Sequence, residues 1–130
     1  MKKIFVAVLL LCAMGLTACG TQEAVYHKIS AEEAYQMMNE TSEYVLLDTR
    51  TGEEFAENHI EGALLLPYDE IGTRAAAELP DKQALILIYC RNGRRSEIAA
   101  KEFVAMGYSN VYDFGGIIDW PYETIKGGSS

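Results

Sequence analysis

Ala84-Leu85-Ile86-Leu87-Ile88-Tyr89 is the segment that most constrains the fold. The run is apolar throughout, so both faces of an extended strand at this point must be covered. Such a strand belongs in the middle of a parallel sheet, with helices packed above and below. The sequence then turns abruptly polar, as Cys90-Arg91-Asn92-Gly93-Arg94-Arg95-Ser96. A buried strand thus delivers a cysteine to the carboxyl end of a sheet, where open α/β proteins bind their ligands.

The remainder of the body alternates strand and helix signals. Residues 26–29 read as a short extended piece. Ser30 with Glu33 forms a capping-box pattern and opens a helix to about residue 39. Residues 44–47 are an apolar run ending at Asp48, and Thr51 with Glu54 is a second capping-box pattern. Residues 63–66 form the next strand, stopped by Pro67. A helix over 69–79 follows, with Pro80 beyond its end. Ser96 is a good N-cap and opens an amphipathic helix over 96–106. Its core positions are Ile98, Ala99, Phe103 and Met106, and Gly107 is its natural stop. Residues 111–114 form a last strand, followed by Gly115-Gly116 and a segment holding Trp120. This alternation predicts an α/β domain around a parallel sheet.

The amino terminus follows a different logic. Met1-Lys2-Lys3 is basic, and residues 4–16 are apolar or small. That is the layout of a secretory signal, and it is shorter than the roughly 20 apolar residues of a membrane span. Leu16-Thr17-Ala18-Cys19 resembles the lipobox of bacterial lipoproteins. The resemblance implies cleavage before Cys19 and acylation of that cysteine, palmitate included. It implies an extracytoplasmic protein held to the membrane, and several acyl chains hold far more firmly than one. The expected organisation is a signal over 1–18, a lipidated terminus and tether over 19–24, one domain over 25–126, and a flexible tail over 127–130.

Cleavage would leave 112 residues, enough for a single domain. A chain of this size buries roughly two-thirds of its unfolded surface and needs no disulfide. Of three cysteines, Cys12 leaves with the signal and Cys19 takes lipid. Only Cys90 remains, so no internal disulfide forms, and a lone thiol in an oxidising compartment calls for a chemical role. Net charge is −8, and −10 once Lys2 and Lys3 are removed. An acidic surface disfavours nucleic acid as a partner. Against that background Arg91, Arg94 and Arg95 cluster beside the thiol.

Their effect on Cys90 has one sign. Gly93 lets the loop curl with its amides inward, the following helix start attracts anions, and arginines offer paired donors to oxyanions. All of these favour a nucleophilic thiolate with no histidine as base. A cysteine at a strand end can instead be a small buried apolar residue, but arginines and a glycine around it would pack poorly as core.

The loop resembles the active-site loop of rhodanese-like domains. Three further blocks resemble the family in order: Asp48-Thr49-Arg50 with Glu54-Phe55, then His59-Ile60-Glu61-Gly62-Ala63 with Pro67, then Gly107-Tyr108 with Gly115-Gly116-Ile117 and Trp120. The resemblance spans most of the chain, from about Tyr26 to Trp120. It implies a five-stranded parallel sheet flanked by helices on both faces, no cofactor, and a ping-pong sulfur transfer. Cys90 would bear a persulfide drawn from a small anionic donor such as thiosulfate. The sulfur would pass to an external thiol or other nucleophile. Arg91 and Arg95 would orient the donor, Arg94 would touch it at the rim, and the amides of Arg91, Asn92, Gly93, Arg94, Arg95 and Ser96 would line the cradle. Asp48 with Arg50 reads as a structural ion pair, and His59 as a residue bonding within its own turn. No spacing of ligands suggests a metal. Asn58, where the family usually has glycine, and Leu65, where it often has asparagine, bear on local turn geometry.

Two other functions use similar parts. Cysteine phosphatases and arsenate reductases also place a cysteine and an arginine on a helix start. Here four residues separate Cys90 from Arg95, a shorter spacing than theirs, and the next position is Ser96. A rhodanese-like binding or redox-relay module without turnover is the other alternative.

Overall fold

The computed structural model describes residues 25–128. The expected signal, the expected lipidation site Cys19 and the expected tether lie outside the described residues, as do Ser129 and Ser130. One parallel sheet of five strands runs in the order β1-β5-β4-β2-β3. The strands are β1 (His27–Lys28), β2 (Val45–Asp48), β3 (Leu64–Leu65), β4 (Ile86–Cys90) and β5 (Val111–Gly116). Between them lie α1 (Ala31–Glu40), α2 (Gly52–Glu57), α3 (Ile71–Glu78) and α4 (Arg94–Ala105).

β4 sits at the centre, as its apolar run requires, and every residue from Ile86 to Cys90 is fully buried. Successive side chains point to opposite faces. Ile86 and Ile88 pack with Ile71, Ala75, Ala99 and Phe103, beneath α3 and α4. Leu87 and Tyr89 pack with Ala31, Ala34, Phe114 and Trp120, beneath α1. Each large apolar side chain so covered contributes about 1.5–3 kcal/mol. Trp120 is therefore core, with its ring against Phe114 and Tyr122.

Local signals set the helix starts. Ser30 Oγ accepts from the Glu33 N–H at 3.1 Å, and Thr51 with Glu54 closes the reciprocal capping box. The expected helix over 69–79 is divided: a 3-10 turn at Tyr68–Glu70 precedes α3. The Tyr68 N–H is held by the Thr49 carbonyl at 3.0 Å, which fixes the turn before the helix can begin.

α4 corrects two expectations. It starts at Arg94, and the capping position is Gly93, with φ 95°. Ser96 lies inside the first turn, where its hydroxyl is put to another use. Ile98 is 41% exposed; the inward face is Ser96, Ala99, Ala100 and Phe103. At about 100° per residue Ile98 lies on the side of α4 opposite the middle of that face, so it turns outward.

The far end of β5 holds an irregularity that positions the site. Ile88 pairs with Asp113 but Cys90 pairs with Gly116, so β5 carries one residue more than β4 between these pairs. Gly115 takes a left-handed φ of 87° there, and Asp113 Oδ1 accepts its N–H at 2.9 Å. The bulge slides Gly116 beneath the 90–96 loop. Ile125 exchanges both backbone hydrogen bonds with His59, and the Gly127 N–H donates to the Ala56 carbonyl at 2.9 Å.

A Cβ on Gly116 would fall on the Arg91 carbonyl and lie 2.6 Å from the Asn92 Cα. Gly116→Ala should therefore cost about 1–3 kcal/mol or more in urea unfolding. Gly115→Ala, with nothing in its way, should cost only the left-handed backbone penalty of about 1–2 kcal/mol and leave the loop in place. Equal stability of wild type and Gly116→Ala would contradict this packing.

Candidate active site

Cys90 is the last residue of β4 and is fully buried. Its Sγ accepts the Gly93 N–H at 3.0 Å. Only a left-handed residue at position 93 can turn that amide back toward the strand end, and glycine adopts this conformation without strain. The Cys90 thiol donates to Ser96 Oγ at 3.5 Å. The Ser96 hydroxyl can itself reach the carbonyls of Gly93 at 3.1 Å and Gly115 at 3.4 Å. Having one proton, it serves one of these carbonyls at a time. Ser96 thus packs under the sulfur as a polar contact, which corrects its expected role as the helix cap.

The loop is shaped by its own side chains and by β5. Asn92 Oδ1 accepts the Arg94 N–H at 3.2 Å, an Asx turn. That amide is accordingly turned to Asn92, and the one in contact with the sulfur is Gly93's. The Ile118 N–H donates to the Arg91 carbonyl at 3.2 Å. The side chains of Arg91 and Arg94 are exposed.

Arg95 is engaged elsewhere. Its two terminal nitrogens meet the two oxygens of Glu54 at 2.7 and 2.9 Å, a bidentate pair on half-buried groups. The hydrogen bond from Arg95 pulls the Glu54 carboxyl from its ordinary 4.5 down to about 2, against the opposing effect of burial. Glu54 also receives the Thr51 hydroxyl and N–H at the start of α2. One carboxylate therefore joins a helix cap to the Cys90 loop.

Asp48 and Arg50 form the expected structural pair. Arg50 donates to both Asp48 oxygens, the closest at 2.7 Å, and to the Asn58 carbonyl at 2.6 Å. Asp48 also accepts the Tyr89 hydroxyl at 2.8 Å, and that oxygen accepts the Ile60 N–H at 3.1 Å. Burial and the adjacent carboxylate push the Tyr89 hydroxyl far above its ordinary value, so it stays a donor. The network ties β2, β4 and the 58–60 turn together just short of Cys90.

His59 stacks on Phe55 at 3.7 Å, and its Nδ1 lies 2.8 Å from the Phe55 carbonyl, inside its own turn. Asn58 has φ −166°, extended backbone open to any residue, so asparagine replaces glycine there without strain. Leu65 sits in β3 opposite Asp48.

Asp113 escaped the sequence reading. It is 2% exposed, and burial raises its carboxyl above the ordinary aspartate value. It holds the bulge at Gly115 and also contacts the Ser96 side chain. An acidic residue within the last strand was the available signal. The Glu54–Arg95 pair was missed as well, since it joins residues 41 apart in sequence.

Residues 30–121 match the family model described as the rhodanese-like domain. The chain belongs to this family. It is 35% identical over 81 residues to the thiosulfate sulfurtransferase PspE of Escherichia coli, covering 62% of this chain and 78% of that protein. It is 38% identical to a sulfurtransferase of Allochromatium vinosum, over 72% of this chain and 87% of the relative. Among solved structures, a rhodanese with anions from E. coli superposes with a TM-score of 0.61 at 33% identity, over 65% of this chain and 99% of that one. The chain is a sulfurtransferase of the rhodanese type.

The Glu54 pair has a measurable pH signature. Its folded value lies below the ordinary one, so the stability it provides is complete above about pH 4.5 and is lost as pH falls toward 2. The difference in melting temperature between wild type and Glu54→Gln should be largest near pH 6 and should close between pH 4.5 and 2. A difference independent of pH would show that the pair is not holding the carboxylate.

Proposed function

We propose that this domain carries sulfane sulfur on Cys90 as a persulfide, moving it from a small anionic donor such as thiosulfate to an external thiol or other nucleophile. The observation that carries this reading is the Gly93 N–H aimed at the Cys90 Sγ at 3.0 Å. A charge-assisted donor at this position stabilises negative sulfur as thiolate and as persulfide alike.

In the first half-reaction the thiolate attacks the outer sulfur of thiosulfate. A new S–S bond forms, the old one breaks, and sulfite departs with its electron pair. In the second, an acceptor thiolate attacks the outer sulfur of the persulfide, and Cys90 leaves as thiolate. Neither step needs a proton on Cys90 or a second protein thiol. Among the described residues Cys90 is the one free cysteine, which supports an acceptor from outside. Arg91, Asn92, Gly93, Arg94, Arg95 and Ser96 form the loop that meets the donor, with the exposed Arg91 and Arg94 attracting its charge. A solved relative described as a rhodanese with anions supports a site of that character.

We infer further that the chain is an extracytoplasmic lipoprotein anchored through Cys19. The apolar run over 4–16 and Leu16-Thr17-Ala18-Cys19 support this. Among the described residues no helix is long and apolar enough to cross a membrane.

Thiosulfate alone should add one sulfur atom to the intact mass of the purified protein. Thiosulfate with cyanide should give turnover. Cys90→Ser should abolish both while remaining folded. A folded wild type with neither mass change nor turnover would favour the binding-module reading. In bacterial cells, labelled palmitate should enter the wild-type chain and not Cys19→Ala. Absence of label from the wild type would rule out the lipid anchor.

A further inference from the structure

The arginines around Cys90 carry less free charge than their number suggests. A cleft of about 270 Å³ beside the loop is walled by Arg50, Glu54, Glu57, Arg91, Ile117 and Ile118. Arg50 is spent on Asp48, both groups being buried. Arg95, close enough to sense the charge of Cys90, is spent on Glu54. Glu57 adds a negative charge at the rim. Arg94 lines a separate cleft with Lys28, Glu97 and Asp113. Arg91 is thus the cation on this wall that makes no ion pair among the described residues. Ile118 stands beside it, 63% exposed.

A wall with balanced charge and an apolar lip discriminates by charge and by shape. A dianion gains more than a monoanion from each unpaired arginine and loses more from each carboxylate. Thiosulfate, a compact dianion, offers no apolar surface to Ile117 and Ile118. An organic persulfide or thiosulfonate offers one negative charge and a hydrocarbon body.

We propose that Glu54 sets the charge class of the sulfur donor: by holding Arg95 in a bidentate pair it shifts the site from dianionic inorganic donors toward monoanionic donors with an apolar body. This rests on Cys90 being the sulfur carrier. With an alkyl thiosulfonate, the Cys90 thiolate forms a bond to the outer sulfur. The bond between the two donor sulfurs breaks, and its electron pair leaves with the sulfinate. Charge is conserved and no proton is needed.

The test compares kcat/KM for thiosulfate and for methanethiosulfonate on the full-length chain in detergent. Glu54→Gln keeps a residue that can close the capping box and removes the charge, so a role confined to capping α2 would leave the donor ratio unmoved. Glu54→Gln should raise the thiosulfate-to-methanethiosulfonate ratio about fivefold. Glu57→Gln, whose carboxylate pairs with no arginine among the described residues, should raise it less. An unchanged ratio in Glu54→Gln, with both donors active, overturns the proposal and leaves the sulfur-carrier reading standing. Inactivity of wild type with both donors overturns that reading instead. If Glu54→Gln does not fold, dead-end inhibition of the wild type decides. Methanesulfonate should compete with methanethiosulfonate at least as well as sulfate does. Sulfate competing more than about fivefold better would overturn the proposal.

Discussion

Burial of β4 on both faces is the constraint from which the rest of the molecule follows. A strand whose every side chain is covered cannot lie at an edge, so β1-β5 and β2-β3 must flank it and helices must cover both sides. The chain can leave such a strand only at its ends, and at the carboxyl end it must turn at once into α4. Cys90 occupies the last position before that turn. Its surroundings are therefore set by the sheet and by the start of a helix, two of the least deformable parts of a fold.

The polar network below the site has a complementary role. Asp48, Arg50 and Tyr89 are buried close to the sheet end, where an unpaired charge would cost several kcal/mol. Each has partners: Asp48 takes Arg50 and Tyr89, Arg50 also donates to Asn58, and Tyr89 also accepts from Ile60. Satisfied in this way, the network fixes the distance between the ends of β2 and β4. Because Thr51 and Glu54 follow directly after Arg50, it also fixes where α2 begins and hence where Glu54 can meet Arg95.

Much of this was legible in the sequence because it is local. The run over 84–89 announced a central strand, and Ser30–Glu33 and Thr51–Glu54 announced helix starts through contacts only three residues apart. The same run placed Cys90 at a strand end, and the blocks resembling rhodanese-like domains carried the family and its five-stranded sheet. What could not be read depends on register or on long-range pairing. Ser96 looked like a cap because serine is a good one, yet the left-handed Gly93 took that position and freed the hydroxyl for the sulfur. Ile98 looked like core as the apolar neighbour of Ala99, yet at about 100° per residue it falls opposite the face formed by Ser96, Ala99, Ala100 and Phe103. The bulge in β5 is a property of two strands together. The engagement of Arg95 depends on a carboxylate that by itself reads only as a helix cap.

The bulge has a bearing on how the loop could be moved or evolve. Because Gly116 lies directly beneath Arg91 and Asn92, the shape of the 90–96 segment is moulded from below by a residue of the next strand. The seven residues alone are an incomplete part. Transplanted to another strand–helix junction, they would lack the hollow that receives their backbone. A single-residue deletion between Asp113 and Gly116 would remove the bulge that slides Gly116 beneath the loop, and so reshape the hollow without altering any loop residue. The heritable unit is therefore the loop together with its mould, and the two must change in step.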